Sequence, residues 1–156
     1  MTKKTLTILG ATCKLGIELS YIYAKNNYNL ILISRNYNKI QDLKNSLEQN
    51  FPNIFIEIYE LDILDLVNQK IVFDNIKEVS TGIISLIGET HYVSKINEKK
   101  LFDIINVNFT YLVNFLSLFL EHFEKKNEGF LICVASVSGL RGRAKNFFYG
   151  SAKAAL

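Results

Sequence analysis

Tyr149 and Lys153 stand four residues apart, within Asn146-Phe147-Phe148-Tyr149-Gly150-Ser151-Ala152-Lys153. On a helix that spacing sets the ammonium beside the phenol on one face. A free tyrosine, with a pKa of about 10, is a poor acid or base near neutrality. A cation held next to it favours the phenolate and brings the group toward a working range. Upstream, Ser136 in Ser136-Val137-Ser138-Gly139 ends a strand-like run. Its hydroxyl could hold a carbonyl oxygen while Tyr149 gives or takes the proton. In isolation, Tyr-x-x-x-Lys also describes an ordinary helix surface, so its meaning rests on the elements that position it.

Those elements alternate. Residues 5–9 form a short β-prone run, and Gly10 opens a loop ending at Gly16. Leu15, Leu19, Ile22 and Tyr23 then recur at helical spacing. Residues 30–33 are continuously apolar, as expected of a parallel strand covered on both faces. Asn36 or Asn38 can cap a helix carrying Ile40, Leu43 and Leu47. Pro52 marks the turn before a strand at 54–59, with Asp62 just past it. Asp65 caps a helix through about residue 77. A strand at 82–87 ends at Gly88, residues 98–124 read as one long helix, and a strand covers 130–135. This alternation predicts an α/β fold, a doubly wound parallel sheet of the Rossmann type, forming a single domain over residues 1–156.

In such a sheet, ligands bind beyond the carboxyl ends of the strands. Gly10, Arg35, Asp62, Gly88 and Ser136 each follow a strand and therefore share that edge. Gly10-Ala11-Thr12-Cys13-Lys14-Leu15-Gly16 follows a strand and opens a helix, so its amides and the helix dipole can cradle a pyrophosphate. An ordinary strand–helix turn is the plainer alternative. Arg35 stands where an NAD site usually carries an acid for the ribose 2′-hydroxyl, and it would instead meet a 2′-phosphate. Lys14 could add a second charge. The cofactor expectation is therefore NADP(H) in preference to NAD(H). Asp62 would lie beside the adenine or serve only as a turn residue.

Composition narrows the alternatives. Apolar residues make up 49% of the chain, enough for a substantial core, and the net charge is +3 with no basic stripe, so no nucleic-acid surface is indicated. Cys13 and Cys133 make no metal-ligand spacing and read as reduced cytoplasmic thiols, and no metal site is expected. The apolar run near the N-terminus is too short for a signal peptide. The apolar segment 101–123 is interrupted by Asp103, Asn106, Asn108, Asn114 and Glu121, which argues for a buried or interface helix over a transmembrane segment. His91 and His122 are lone residues with no catalytic task assigned.

With these residues in order, the sequence resembles the classical short-chain dehydrogenase/reductase family. The resemblance runs through the glycine loop, Asp62, Asn106-Val107-Asn108, Ser136 and Tyr149-x-x-x-Lys153. It implies a catalytic tetrad of Asn108, Ser136, Tyr149 and Lys153. Tyr149 would be the general acid for carbonyl reduction, and Ser136 would steady the substrate oxygen. Lys153 would lower the tyrosine's pKa and bond the nicotinamide ribose, and Asn108 would order a relay water. Without the resemblance, Asn108 reads as a core asparagine at a kink. The implied cofactor contacts are Gly10, Thr12, Cys13, Lys14, Leu15, Gly16, Arg35, Asp62, Gly88, Tyr149 and Lys153. Two departures stand out. Lys14 replaces the usual middle glycine, and Ser85-Leu86-Ile87-Gly88 replaces the usual Asn-Asn-Ala-Gly.

A narrower similarity, over residues 139–150, is to reductases of surface-polysaccharide synthesis such as the keto-reducing subunit of the decaprenylphosphoryl-ribose 2′-epimerase. It implies a small-molecule carbonyl substrate, a keto-sugar on a phosphate carrier, with Arg141 and Arg143 available to the phosphate or simply solvated. In the family, the helix of Lys153 continues past the position of Leu156 and further strands follow, so the chain is expected to be part of a longer reductase. Family members pair through the helix matching 98–124, which implies a homo-oligomer. Two functions remain: an NADP(H)-dependent carbonyl reductase, or a non-catalytic nucleotide-binding remnant.

Overall fold

A computed structural model describes residues 3–90 and 98–156. His91 lies outside the described residues. Five parallel strands form one sheet in the order β3-β2-β1-β4-β5: β1 Thr5–Leu9, β2 Asn29–Ser34, β3 Ile56–Glu60, β4 Gly82–Ser85 and β5 Leu131–Cys133. The helices between them are α1 Lys14–Lys25, α2 Tyr37–Asn50, α3 Leu66–Ile76, α4 Glu98–Ile105 and α5 Tyr111–Lys126. Beyond β5 come α6 Val137–Leu140 and α7 Phe147–Ala155.

Because strand side chains alternate between faces, the apolar runs feed two cores. Leu6, Ile8, Leu30, Leu32, Ile56 and Ile84 pack with Ala24 of α1 and Ile40, Leu43 and Leu47 of α2. Leu9, Ile31, Ile33 and Ile83 pack instead with Val72, Phe73 and Ile76 of α3 and with Leu112, Phe115, Leu116 and Phe119 of α5. Helices thus cover both faces, as the doubly wound pattern predicts. Phe119 packs edge-on against Phe73 and Phe115, with ring centroids 5.0 and 5.3 Å away, a favourable aromatic geometry.

Local capping follows the sequence signals. Asn36 Oδ1 accepts from Lys39 N at 3.0 Å, and Asp65 Oδ1 accepts from Asn68 N at 3.0 Å, each satisfying an amide left open at a helix start. Two strands are shorter at their carboxyl ends than the sequence predicts, since β4 stops at Ser85 and β5 spans only Leu131–Cys133, whereas β2 and β3 each run one residue further. Past those points single bonds replace the ladder, from Leu86 N to Leu9 O (2.8 Å) and from Val134 N to Ser85 O (3.0 Å).

The expected long helix is present but not uniform. Between α4 and α5, residues Asn106–Thr110 form a π turn. By length and composition alone the stretch Lys100–Lys126 could cross a membrane. One face of it is buried, with Leu112, Phe115, Leu116, Phe119 and Phe123 in the core, while Phe102, Val113 and Leu120 stay exposed.

Candidate functional site

The nucleotide end is shaped by backbone. Gly10 has φ +88°, which a side chain rarely tolerates, and its amide and that of Ala11 both donate to Ile33 O (2.9 and 3.1 Å). This folds the loop onto β2. Gly16 brings α1 against the same loop, where a Cβ would stand 2.7 Å from Ala11 O. Cys13 caps α1, its Sγ accepting from Gly16 N at 3.2 Å. Lys14 and Leu15 occupy the first two helical positions, whose amides have no partner within the helix.

A cavity of about 430 Å³ opens above this loop. Gly10, Thr12, Cys13, Arg35 and Gly88 line it, as do Ser34, Asn36, Lys39, Ile87 and Glu89. Thr12 Oγ1 and Ser34 Oγ are hydrogen bonded at 2.7 Å. The exposed Lys14 and Leu15 side chains and Gly16 are not among the lining residues. A lysine in place of the middle glycine therefore does not fill the cavity, and Lys39 is a cation that does line it. Asp62 also lies apart from the lining, although its neighbours Leu61 and Ile63 belong to it. The Asp62 carboxylate accepts from Leu64 N at 3.0 Å, as an Asx turn does, and lines a shallow groove with Asp65 and Tyr111.

The other end of the candidate site is built around Lys153. Its side chain is buried, 4% exposed, and Nζ donates to Ile87 O at 2.8 Å. Burial pushes its ammonium below the ordinary lysine range, and the nearby Cys133 pulls the other way. Burial likewise pushes the Cys133 thiol up, against the opposing pull of Lys153 and the hydroxyl of Ser85, its partner across β4 and β5. Gly88 sits beside the same ammonium. A Cβ there would lie 3.4 Å from Asn108 Oδ1 and 3.7 Å from Lys153 Nζ, so glycine leaves a gap between the two.

Asn108 is fully buried within the π turn. Its Nδ2 donates to Ile104 O (2.8 Å) and Glu89 O (2.7 Å), and its Oδ1 accepts from Glu89 N (3.1 Å). All of its amide atoms are thus engaged on backbone, the arrangement a buried amide requires. The Asn108 side chain also ties the chain after β4 to the helix.

Tyr149 is partly buried, one turn before Lys153 on α7, and its hydroxyl has no hydrogen-bond partner among the described residues. Ser136 lies three residues past β5 as the N-cap of α6, where its Oγ accepts from Ser138 N at 3.2 Å. That bond uses a lone pair and leaves the hydroxyl proton available. Two glycines press α6 and α7 together. A Cβ on Gly139 would stand 2.7 Å from Lys153 O, and one on Gly150 would stand 2.7 Å from Ser138 O. The serine's helix is thereby registered on the helix of tyrosine and lysine. Arg141 and Arg143 are exposed between α6 and α7. His122 is remote from these groups, packed against Phe73 and Phe123 with Nε2 3.9 Å from Glu78.

The chain and its fold have counterparts among known proteins. A family model for short chain dehydrogenases matches residues 4–156. The chain belongs to the short chain dehydrogenase family. It is 25% identical over 158 residues to mouse 17-beta-hydroxysteroid dehydrogenase type 3, covering 94% of this chain and 50% of that protein. Its fold superposes on a bulky-bulky ketone specific alcohol dehydrogenase from Comamonas testosteroni with a TM-score of 0.90 at 18% identity, over 99% of this chain and 64% of that one. A short-chain dehydrogenase from Sphingobium yanoikuyae in complex with NADPH gives 0.87 at 18%, over 97% and 61%. The chain thus spans about half the length of the mouse relative.

Proposed function

We propose that this chain is the cofactor-binding and catalytic portion of an NADP(H)-dependent oxidoreductase that interconverts a carbonyl and an alcohol. The observation that carries the reading is the buried Lys153, fixed on Ile87 O beside Gly88 and Asn108, one turn from a tyrosine whose hydroxyl is uncommitted. Among the described residues this buried cation at a ligand edge has no carboxylate partner, and such groups concentrate at functional sites.

The residues present suit a phosphorylated dinucleotide. The amides at the start of α1 and the left-handed Gly10 suit a pyrophosphate. Arg35 and Lys39 on the cavity rim suit a 2′-phosphate. When bound, such a cofactor supplies the hydride chemistry. Tyr149 gives its phenolic proton to the substrate oxygen during reduction and takes it back in oxidation. Ser136 donates its hydroxyl proton in a hydrogen bond to the same oxygen, steadying the charge that develops there. Lys153 favours the tyrosinate that remains. Asn108 holds the segment after β4 in place. The exposed Arg141 and Arg143 flank the approach between α6 and α7, which favours a substrate bearing an anion, such as a phosphate-linked keto-sugar.

Consumption of NADPH with a carbonyl substrate tests this reading. Tyr149→Phe keeps the ring and removes the proton, and it should abolish turnover while leaving NADPH binding intact. Unchanged turnover in that variant would refute the proton assignment. Binding of NADPH with no turnover on any carbonyl tried would support a nucleotide-binding remnant instead.

A further inference from the structure

One ion pair spans the cofactor cavity. Arg35 Nη1 lies 3.4 Å from Glu89 Oε2, and both residues line the cavity. Arg35 directly follows β2, and Glu89 follows β4 by four residues. The strand order places β1 between those two strands. The pair therefore crosses over the carboxyl end of β1, above the point where Gly10 turns into the loop. The two partners are held very differently. Glu89 is fixed by its backbone, whose N–H and C=O are both bonded to the buried amide of Asn108. Arg35 is exposed (60% of its side chain), and its contact to Glu89 is long for a charge-assisted bond. Such exposed pairs are weak and exchangeable.

We propose that Glu89 is a specificity-determining residue that occupies Arg35 until a 2′-phosphate displaces it. This inference rests on the NADP(H) reading above. A 2′-phosphate offers Arg35 more charge and more acceptor oxygens than the carboxylate does, with Lys39 on the same rim. A 2′-hydroxyl offers no charge, so Arg35 stays with Glu89. The carboxylate thus weakens phosphate binding somewhat while keeping the guanidinium at the rim, and it sets how far the protein separates the two cofactors.

Binding of NADPH, NADH and 2′,5′-ADP, followed by calorimetry on the full chain, tests this. Glu89→Gln should tighten NADPH and 2′,5′-ADP by roughly two- to fivefold, the range expected for release of an exposed pair, and leave NADH unchanged. In an Arg35→Gln background the same Glu89 change should give a clearly smaller gain, because the guanidinium that Glu89 holds is gone. An unchanged or weakened NADPH affinity in Glu89→Gln, with wild-type binding intact, overturns the proposal and leaves the cofactor reading standing. An equal gain in both backgrounds also overturns it, since that would reflect general charge and no exchange. Failure of the wild type to bind either dinucleotide overturns both.

Discussion

At the start of α1 the chain is placed mainly by backbone: Gly10 in a left-handed turn, Gly16 pressed on Ala11 O, and a row of helix-start amides. At α7 the work falls to side chains, with Lys153 buried on Ile87 O and Asn108 locked on Glu89 and Ile104. The first arrangement offers backbone amides and tolerates side-chain exchange, as the outward, exposed Lys14 in the usual glycine position shows. The second tolerates little, because a changed group there leaves a buried partner unsatisfied. The α6–α7 contact belongs to both kinds: glycines set the spacing, and side chains do the chemistry.

Breaking the catalytic end should give the largest effect. Lys153→Met should lower kcat by about 10²-fold or more, the scale of a lost acid–base assist, while NADPH affinity falls far less. The same variant has a signature in stability. Burial holds the folded-state pKa of Lys153 below its unfolded value. Between those two values the unfolded chain binds more protons, so stability rises with pH through that window. Urea midpoints followed into the alkaline range should show that rise in the wild type and a flatter profile in Lys153→Met. A lysine paired with an acid would give the opposite slope.

Paired glycine substitutions sharpen the contrast. Gly139→Ala forces a Cβ to within 2.7 Å of Lys153 O, and Gly16→Ala does the same at Ala11 O. Each should destabilise by about 1–3 kcal/mol through overpacking. Their functional marks should separate. Gly139→Ala should reduce kcat about tenfold with near-normal NADPH affinity, since an ångström of misplacement is felt in catalysis. Gly16→Ala should weaken NADPH binding with less change in kcat. Identical kinetic profiles would dissolve the distinction drawn here.

Asn108→Ala should remove about 1–3 kcal/mol of stability, because two carbonyls and one N–H lose their partner in a buried setting. Thermal melts would read this directly. The smallest effect belongs to the nucleotide end. Cys13→Ser exchanges a weak sulfur cap for a strong oxygen one and should raise stability by a few tenths to about 1 kcal/mol without altering turnover.

Much of this was legible in sequence because the signals are local. Strand–helix alternation, the Asn36 and Asp65 caps, the Gly10 turn and the spacing of Tyr149 and Lys153 each depend on neighbours a few residues away. The site residues that escaped notice depend on distant ones. Glu89 matters through Arg35, 54 residues earlier in the chain, and no local pattern marks it. Lys39 did carry a faint signal, since it is a cation in the first turn of α2, where the helix dipole favours an acid. The position of Asp62 outside the cavity lining was not readable either, because a turn-forming aspartate and a ligand-facing one have the same spacing after a strand. Strand ends at 85 and 133 were overrun because the apolar residues that follow line the site or the edge rather than the ladder.

The π turn at Asn106–Thr110 carries a consequence for how this protein can be altered. Packing in 4.4-residue rather than 3.6-residue cycles shifts the angular phase of everything that precedes it relative to everything that follows. That offset lets one rod aim an amide into the site and, a few residues on, aim three phenylalanines at the sheet. Removing a single residue from this segment would let it close to a regular screw with α4 and α5 still set much as before, since five residues of the wide turn and four of an α-helix both sweep roughly 400°. The wide turn that carries Asn108 to the Glu89 backbone would be gone, although no group that touches a substrate had been changed.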